Sequence, residues 1–169
     1  MTNVRLCTGA YAQTPYYLSA ACVNIYCIEE MCYIFALNPF MITREIMNNT
    51  LIDWFEDECQ LGELATELRK VLNKGSQLSD FVNVIINYVN YCDEDELKLI
   101  DDTLKTSSRL NDFERKKHQA DYLLGNGKYE AAIEEYEGLI ASLPDVESAI
   151  KPEAYHNVGY AYAKLFVFD

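Results

Sequence analysis

The sequence ADYLLGNGKYEAAIEEYEGLIASLP, residues 120–144, decides the fold that we predict for this chain. After residue 128, apolar residues recur at helical spacing, whereas the glutamates between them lie mostly on other faces. The apolar stripe consists of Tyr129, Ala132, Ile133, Tyr136, Leu139, Ile140 and Leu143. The tripeptide Gly125-Asn126-Gly127, which precedes the stripe, is typical of a tight turn. We therefore predict two helices that are joined by a short turn.

This pattern resembles the tetratricopeptide repeat, a helix-turn-helix unit of about 34 residues. Ala120 and Ala132 match the small residues at which the two helices of such a repeat touch. Tyr136 matches the packed aromatic residue of the second helix, and Gly127 matches the glycine of the turn. Lys116 departs from the pattern, because the family has an aromatic residue there. The resemblance implies an array of stacked helix pairs.

A second, partial copy begins at PEAYHNVGYAYAKLFVFD, residues 152–169. Gly159 matches Ala120 but follows it by 39 residues, so residues 145–150 are expected to extend the loop between repeats. The copy stops where a second helix would begin, and its last residues, Tyr160 to Phe168, are rich in apolar side chains. Because a terminal repeat normally ends in a polar cap, we expect either a fragment of a longer repeat protein or a partner that covers this face.

The rest of the chain predicts more helices, so the fold class is all-α. Residues 1–26 are the least helical, and their β-prone runs at residues 4–7 and 22–26 predict a small hairpin or an extended arm. Helical spacing then covers residues 27–37, 42–49, 51–59, 61–75, 76–92 and 93–108. We predict a helical N-terminal domain over residues 1–110 and a tetratricopeptide-like array over residues 111–169, its second repeat truncated. The N-terminal part resembles uncharacterised bacterial helical proteins of unknown function, which implies no activity.

Charge and hydropathy exclude several classes of partner. The net charge is -13 and the sequence has no run rich in lysine or arginine, so we expect neither nucleic acid nor membrane as a partner. The N-terminus lacks the basic and apolar regions of a secretory signal, and the most apolar window, residues 31–42, is too short to span a bilayer. We predict a cytoplasmic protein, in which the six cysteines stay reduced.

No motif in the sequence predicts catalysis, a cofactor or a metal site. Cys22, Cys27 and Cys32 are five residues apart, a spacing that spreads around a helix, and we interpret them as buried core thiols. The acidic residues in 92–102 lack the glycine of a calcium-binding loop and are typical of the start of a helix. The two histidines, His118 and His156, accompany no nucleophile motif. We therefore expect no enzymatic activity; a thiol-based sensor is a distant alternative.

The resemblance implies a groove that is lined by the first helix of each repeat. The groove positions carry Lys117, Asp121, Leu124, His156, Tyr160 and Lys164. Some relatives clamp the C-terminal carboxylate of a peptide, and Lys117 and Asn157 match two residues of that clamp. Asp121 replaces the central asparagine, and an acid there would repel a carboxylate. These positions predict either a groove or an ordinary solvated helix face.

Two functions follow from this interpretation. The first is a scaffold or adaptor that holds a protein or peptide partner of unknown identity and pathway in a tetratricopeptide-type groove. The alternative is a self-assembly module that forms a homodimer through its C-terminal aromatic face, residues 160–168.

Overall fold

The computed structural model describes residues 7–107, 112–144 and 150–166, without the side chains of Ser107 and Phe166. These residues fall into two compact units, one within residues 1–19 and 23–106 and the other within residues 20–22 and 107–169. The fold is all-α with one small hairpin near the N-terminus, which confirms the predicted fold class. The predicted domain boundary at residues 110–111 and most of the predicted loop at 145–150 lie outside the described residues.

The hairpin consists of two short antiparallel strands, β1 (Tyr16–Leu18) and β2 (Val23–Ile25). Tyr16 lies opposite Ile25 and Leu18 lies opposite Val23, so the buried residues Leu18 and Ile25 reach the core from the two strands. The predicted run at residues 22–26 thus contains β2. Of the predicted run at residues 4–7, residues 4–6 lie outside the described residues and Cys7 forms no strand. The strand that pairs with β2 is β1.

Five α-helices follow among the described residues of the first unit, the last of them ending one residue beyond it. They are α1 (Ile28–Leu37), α2 (Asn49–Asp57), α3 (Gly62–Asn73), α4 (Leu78–Tyr88) and α5 (Glu94–Ser107). The side chain of Asn48 caps α2, since its Oδ1 accepts a hydrogen bond of 2.8 Å from the backbone N–H of Leu51. Gln77 and Asp80 form a reciprocal capping box at the start of α4. These side-chain caps explain why α2 and α4 begin where they do.

Two predicted helices differ from the structure. Residues 42–49 contain only a 3-10 turn, Arg44–Ile46, because Thr43 and Asn48 have extended backbones and Asn48 serves as the cap of α2. The helix predicted over residues 76–92 ends at Tyr88, since Asn90 adopts a positive φ of 51°. Its apolar character nevertheless places it in the core, where Phe81, Val82, Ile85 and Ile86 are fully buried.

The second unit contains α6 (Asp112–Gly125), α7 (Tyr129–Ser142) and α8 (Ile150–Phe166), and α7 packs against both of the others. The chain leaves α6 through a Schellman motif, in which Lys128 N–H donates to the Leu123 carbonyl (2.9 Å) and Gly127 N–H to the Leu124 carbonyl (3.1 Å). Gly127 has a φ of +71°, the left-handed conformation that this motif requires. The core of the unit consists of Ala120, Leu123, Ala132, Tyr136, Leu139, Leu143 and Ala154.

Among the described residues, none of the helices combines the length and the apolar character that crossing a membrane requires.

Candidate partner-binding surface

The helices α6 and α8 expose different faces. Ala120 and Leu123 of α6 are buried in the core that α7 completes. The corresponding residues of α8, 39 positions later, are Gly159 and Tyr162. They are not covered in this way, because a Cβ atom on Gly159 would meet nothing within 4 Å and Tyr162 is 41% exposed. Among the described residues, no helix packs on the face of α8 that contains Gly159.

The exposed surface of α8 is rich in aromatic residues. Tyr155 and Tyr162, seven residues apart on one side of the helix, are 61% and 41% exposed, and we call these two side chains the tyrosine face. Tyr160 is 47% exposed and lies on another side of the helix. The ammonium group of Lys164 lies 5.4 Å from the centre of the Tyr160 ring, a cation–π geometry. Tyr162 donates a hydrogen bond of 3.1 Å to Glu137 Oε1 of α7, and this bond raises the pKa of Tyr162. The tyrosine face is thus held on a packed helix. Of the predicted aromatic surface, the Phe166 side chain and residues 167–169 lie outside the described residues.

Beside this face, one polar network joins the three helices. The Oδ1 atom of Asp121 accepts hydrogen bonds from the Tyr136 hydroxyl and from Asn157 Nδ2 (3.3 Å). Asn157 Nδ2 also donates to the Tyr136 hydroxyl oxygen at 2.9 Å. The other oxygen of Asp121 binds Lys117 Nζ at 2.9 Å, and the same ammonium lies 3.0 Å from Glu153 Oε1. We call these five residues the Asp121 network.

Burial and pairing determine the charge states in the Asp121 network. Burial raises the pKa of Tyr136 strongly and its hydrogen bond to Asp121 raises it further, so the hydroxyl stays neutral and remains a donor. Burial lowers the pKa of Lys117, but the hydrogen bonds to Asp121 and Glu153 outweigh this effect and the pKa is raised. Lys117 is therefore a cation whose charge is already shared by two carboxylates. It is therefore a poor ligand for the carboxylate of a peptide, in agreement with the repulsion that we expect from Asp121.

The structure brings some of the predicted groove residues together and separates others. Lys117, Asp121 and Asn157 meet in the network, whereas His156, Tyr160 and Lys164 are exposed on α8. Leu124 is half-buried and packs against the core, so it contributes little open surface.

Two members of the network, Tyr136 and Glu153, were not predicted to belong to the site. A signal for Tyr136 exists, because a buried tyrosine usually requires a partner for its hydroxyl group and Asp121 lies within the same repeat. A signal for Glu153 also exists, because it precedes the predicted residues Asn157 and Tyr160 by four and seven positions, which places it on the same side of the helix.

The cysteines differ in part from the interpretation as core thiols. Cys27, Cys32 and Cys59 are buried, whereas Cys22 is half-buried and Cys7 is exposed. Cys22 precedes β2 and Cys27 precedes α1, so the three evenly spaced cysteines do not share one helix. Burial raises the pKa of Cys27 and that of Cys59 to about 12, which makes both of them weak nucleophiles at neutral pH.

No family model matches the sequence, and neither the curated proteins nor the solved structures include one with significant similarity to it. The resemblance to tetratricopeptide repeats therefore stays a prediction.

Proposed function

We propose that the second unit is a protein-interaction module of the tetratricopeptide type, which serves as a scaffold or adaptor in the cytoplasm. The observation that carries this proposal is the placement of an exposed aromatic anchor, Tyr160, on the same helix as Glu153 and Asn157 of the Asp121 network. Exposed tyrosines on a rigid frame are typical anchors of protein interfaces, since they bury a large ring at a small cost in conformational entropy.

The charges of this surface support a particular class of ligand. The surface carries two basic side chains, Lys117 and Lys164, and two acidic side chains, Asp121 and Glu153. The formal charges of these four side chains sum to zero, although the whole chain carries a net charge of -13. Glu153 is 58% exposed at its side chain and offers an acceptor to a ligand, whereas Lys117 is only 16% exposed. We propose that the ligand is an internal peptide segment with an apolar anchor and nearby donor groups, rather than a free C-terminal carboxylate.

A selected peptide tests this function. Peptides from a random displayed library should be enriched on the reduced protein, and Tyr160→Ala should weaken the best of them by about 2 kcal/mol, or roughly 30-fold, as for an interface anchor. Tyr33→Ala is the matched control, because Tyr33 is a helical tyrosine of the first unit that is 54% exposed. Titration calorimetry with amidated and free-acid forms of the peptide should give equal affinities. Equal binding to wild type and Tyr160→Ala, or a strict need for the free carboxylate, would contradict the proposal.

The self-assembly alternative is favoured by a different observation. Tyr155 and Tyr162 flank the open side of Gly159, on the face of α8 that corresponds to the covered face of α6. A second copy that covered this face would bury both rings.

Light scattering at micromolar concentration tests the alternative. It should give a dimer that becomes a monomer in the Tyr155→Ser/Tyr162→Ser double variant, because serine removes both rings from the contact. The dimer should persist in Tyr33→Ser, which removes a ring of similar exposure from the other unit. A wild-type monomer at these concentrations would exclude self-assembly and leave the peptide-binding function in place.

A further inference from the structure

Residues 7–14, which we call the N-terminal strap, form neither a helix nor a strand but are held on the first unit by backbone hydrogen bonds. The N–H of Ala10 donates to the carbonyl of Cys59 at 2.8 Å, and the N–H of Ala12 donates to the carbonyl of Tyr26 at 2.7 Å. The ring of Tyr11 stacks on that of Tyr26, with 5.3 Å between the centroids and 2° between the planes. The strap is therefore fixed along its length.

Side chains fix the far end of the strap. The backbone N–H groups of Gln13 and Thr14 both donate to Glu58 Oε2 at 3.1 Å, and Trp54 Nε1 donates to the carbonyl of Thr14 at 2.8 Å. The hydrogen bond from Thr14 is the main reason that the pKa of Glu58 is lowered. This tether is thus present above the pKa of an ordinary glutamate and is lost as the pH falls through the lowered value.

At its start, the strap brings one cysteine to the beginning of α1. The Sγ atoms of Cys7 and Cys27 and a carboxylate oxygen of Glu29 all lie within 4.8 Å of one another. In a tetrahedral zinc site, bond lengths of about 2.3 Å place two thiolate sulfurs roughly 3.8 Å apart. A spacing of this size lies within the 4.8 Å limit of the cluster.

The carboxylate of Glu29 provides independent evidence for a bound cation. Its Oε1 atom accepts a hydrogen bond of 2.5 Å from the N–H of Thr8. Its Oε2 atom is buried and accepts no hydrogen bond from any residue that the structure describes. A buried carboxylate oxygen without a donor is costly and calls for an explanation, and an ion bound at that oxygen is one.

We propose that Cys7, Cys27 and Glu29 bind one Zn²⁺ ion that fastens the N-terminal strap to the start of α1. Two thiolates favour zinc over magnesium or calcium, which prefer oxygen ligands alone. Zinc accepts cysteine and carboxylate ligands in one tetrahedral site, and three protein ligands leave the fourth position for water. Binding would release the protons of the two thiols, so that two thiolates and the Glu29 carboxylate hold the ion.

Cobalt is the probe of choice, because a tetrahedral Co²⁺–thiolate site has a charge-transfer band in the near ultraviolet and strong visible bands. The whole chain, reduced and stripped with a chelator, should bind one equivalent of Co²⁺ with these bands, and Zn²⁺ should displace it. Cys7→Ser and Glu29→Gln should each weaken binding by at least the 10–100-fold that loss of an outer-shell partner costs. Cys92→Ser, a change outside the cluster in the same unit, should leave the affinity unchanged.

Cys27 is buried and its replacement could prevent folding, so the decisive variants are at the exposed Cys7 and at Glu29. Circular dichroism will establish that both variants keep the helical content of the wild type. The proposal is overturned if the wild type shows no charge-transfer band, if the band persists in Cys7→Ser, or if Cys92→Ser removes it equally. It is also overturned if the native protein carries a Cys7–Cys27 disulfide by mass spectrometry, since that bond would occupy both sulfur ligands.

Discussion

Replacing Tyr136 with alanine should lower the free energy of unfolding of the second unit by about 3–5 kcal/mol, the range for large aromatic residues in a core. Tyr136 is fully buried and lies in the core between α6 and α8. The change creates a cavity and also removes the hydroxyl group that joins Asp121 to Asn157. Hydrogen exchange of the amides in α7, measured against denaturant, will report the loss.

Two further variants separate the ring from the hydroxyl group. Tyr136→Phe keeps the ring and should cost about 1–3 kcal/mol, because Asp121 loses one donor but keeps Lys117 and Asn157. Tyr155→Ala removes a tyrosine that is 61% exposed in the same unit and should change stability by less than about 0.5 kcal/mol. A Tyr136→Ala variant as stable as Tyr155→Ala would show that the core of the second unit does not depend on α7 as described.

The helices were the most predictable part of this fold, because amphipathic spacing is a local property of the sequence. The stripe from Tyr129 to Leu143 corresponds to α7, and the Asn38-Pro39 pair follows the last residue of α1. The segment 42–49 has similar spacing but forms only a 3-10 turn. There the side chain of Asn48 caps α2. The conformation of the segment therefore depends on the helix that follows it and not on its own spacing.

The sequence indicated only part of the polar network on the candidate binding surface. The resemblance to a repeat placed Lys117, Asp121 and Asn157 in one set, and in the structure Asp121 binds the other two directly. The hydroxyl group of Tyr136 is an additional partner of Asp121 and Asn157. That connection depends on the side-chain conformation of a buried residue from a third helix, which the spacing of residues does not specify. The pairing of Lys117 with Glu153 depends likewise on how α8 lies against α6.

The Cys7–Cys27–Glu29 cluster was not predictable from spacing, because its members come together only when the strap returns along the first unit. A search for cysteines two to four residues apart, the usual signature of zinc sites, cannot find a pair separated by 20 residues and a hairpin.

Gly9→Ala should destabilise the first unit by about 2–5 kcal/mol. Gly9 has a φ of +81°, a conformation that costs an L-residue roughly 1–2 kcal/mol. A Cβ atom there would also overlap the carbonyl oxygen of Cys59 and lie 2.6 Å from Leu61 Cδ2, and overpacking of this kind costs about 1–3 kcal/mol. The fluorescence of Trp54, the one tryptophan of the chain, will follow denaturant unfolding, since its indole N–H is bonded to the strap.

Gly75→Ala is the matched control, because Gly75 has a similar φ of +66° but no atom within 4 Å of an added Cβ. It should therefore show only the backbone strain, and the difference between the two variants measures how closely the strap approaches Cys59 and Leu61. Equal losses would mean that the strap does not lie against the loop after α2. In that case Cys7 would not be held beside Cys27 either, and the geometry of the proposed zinc site would be lost with it. A larger loss for Gly9→Ala, together with weaker Co²⁺ binding by that variant, would connect the fixed path of the strap to the affinity of the site.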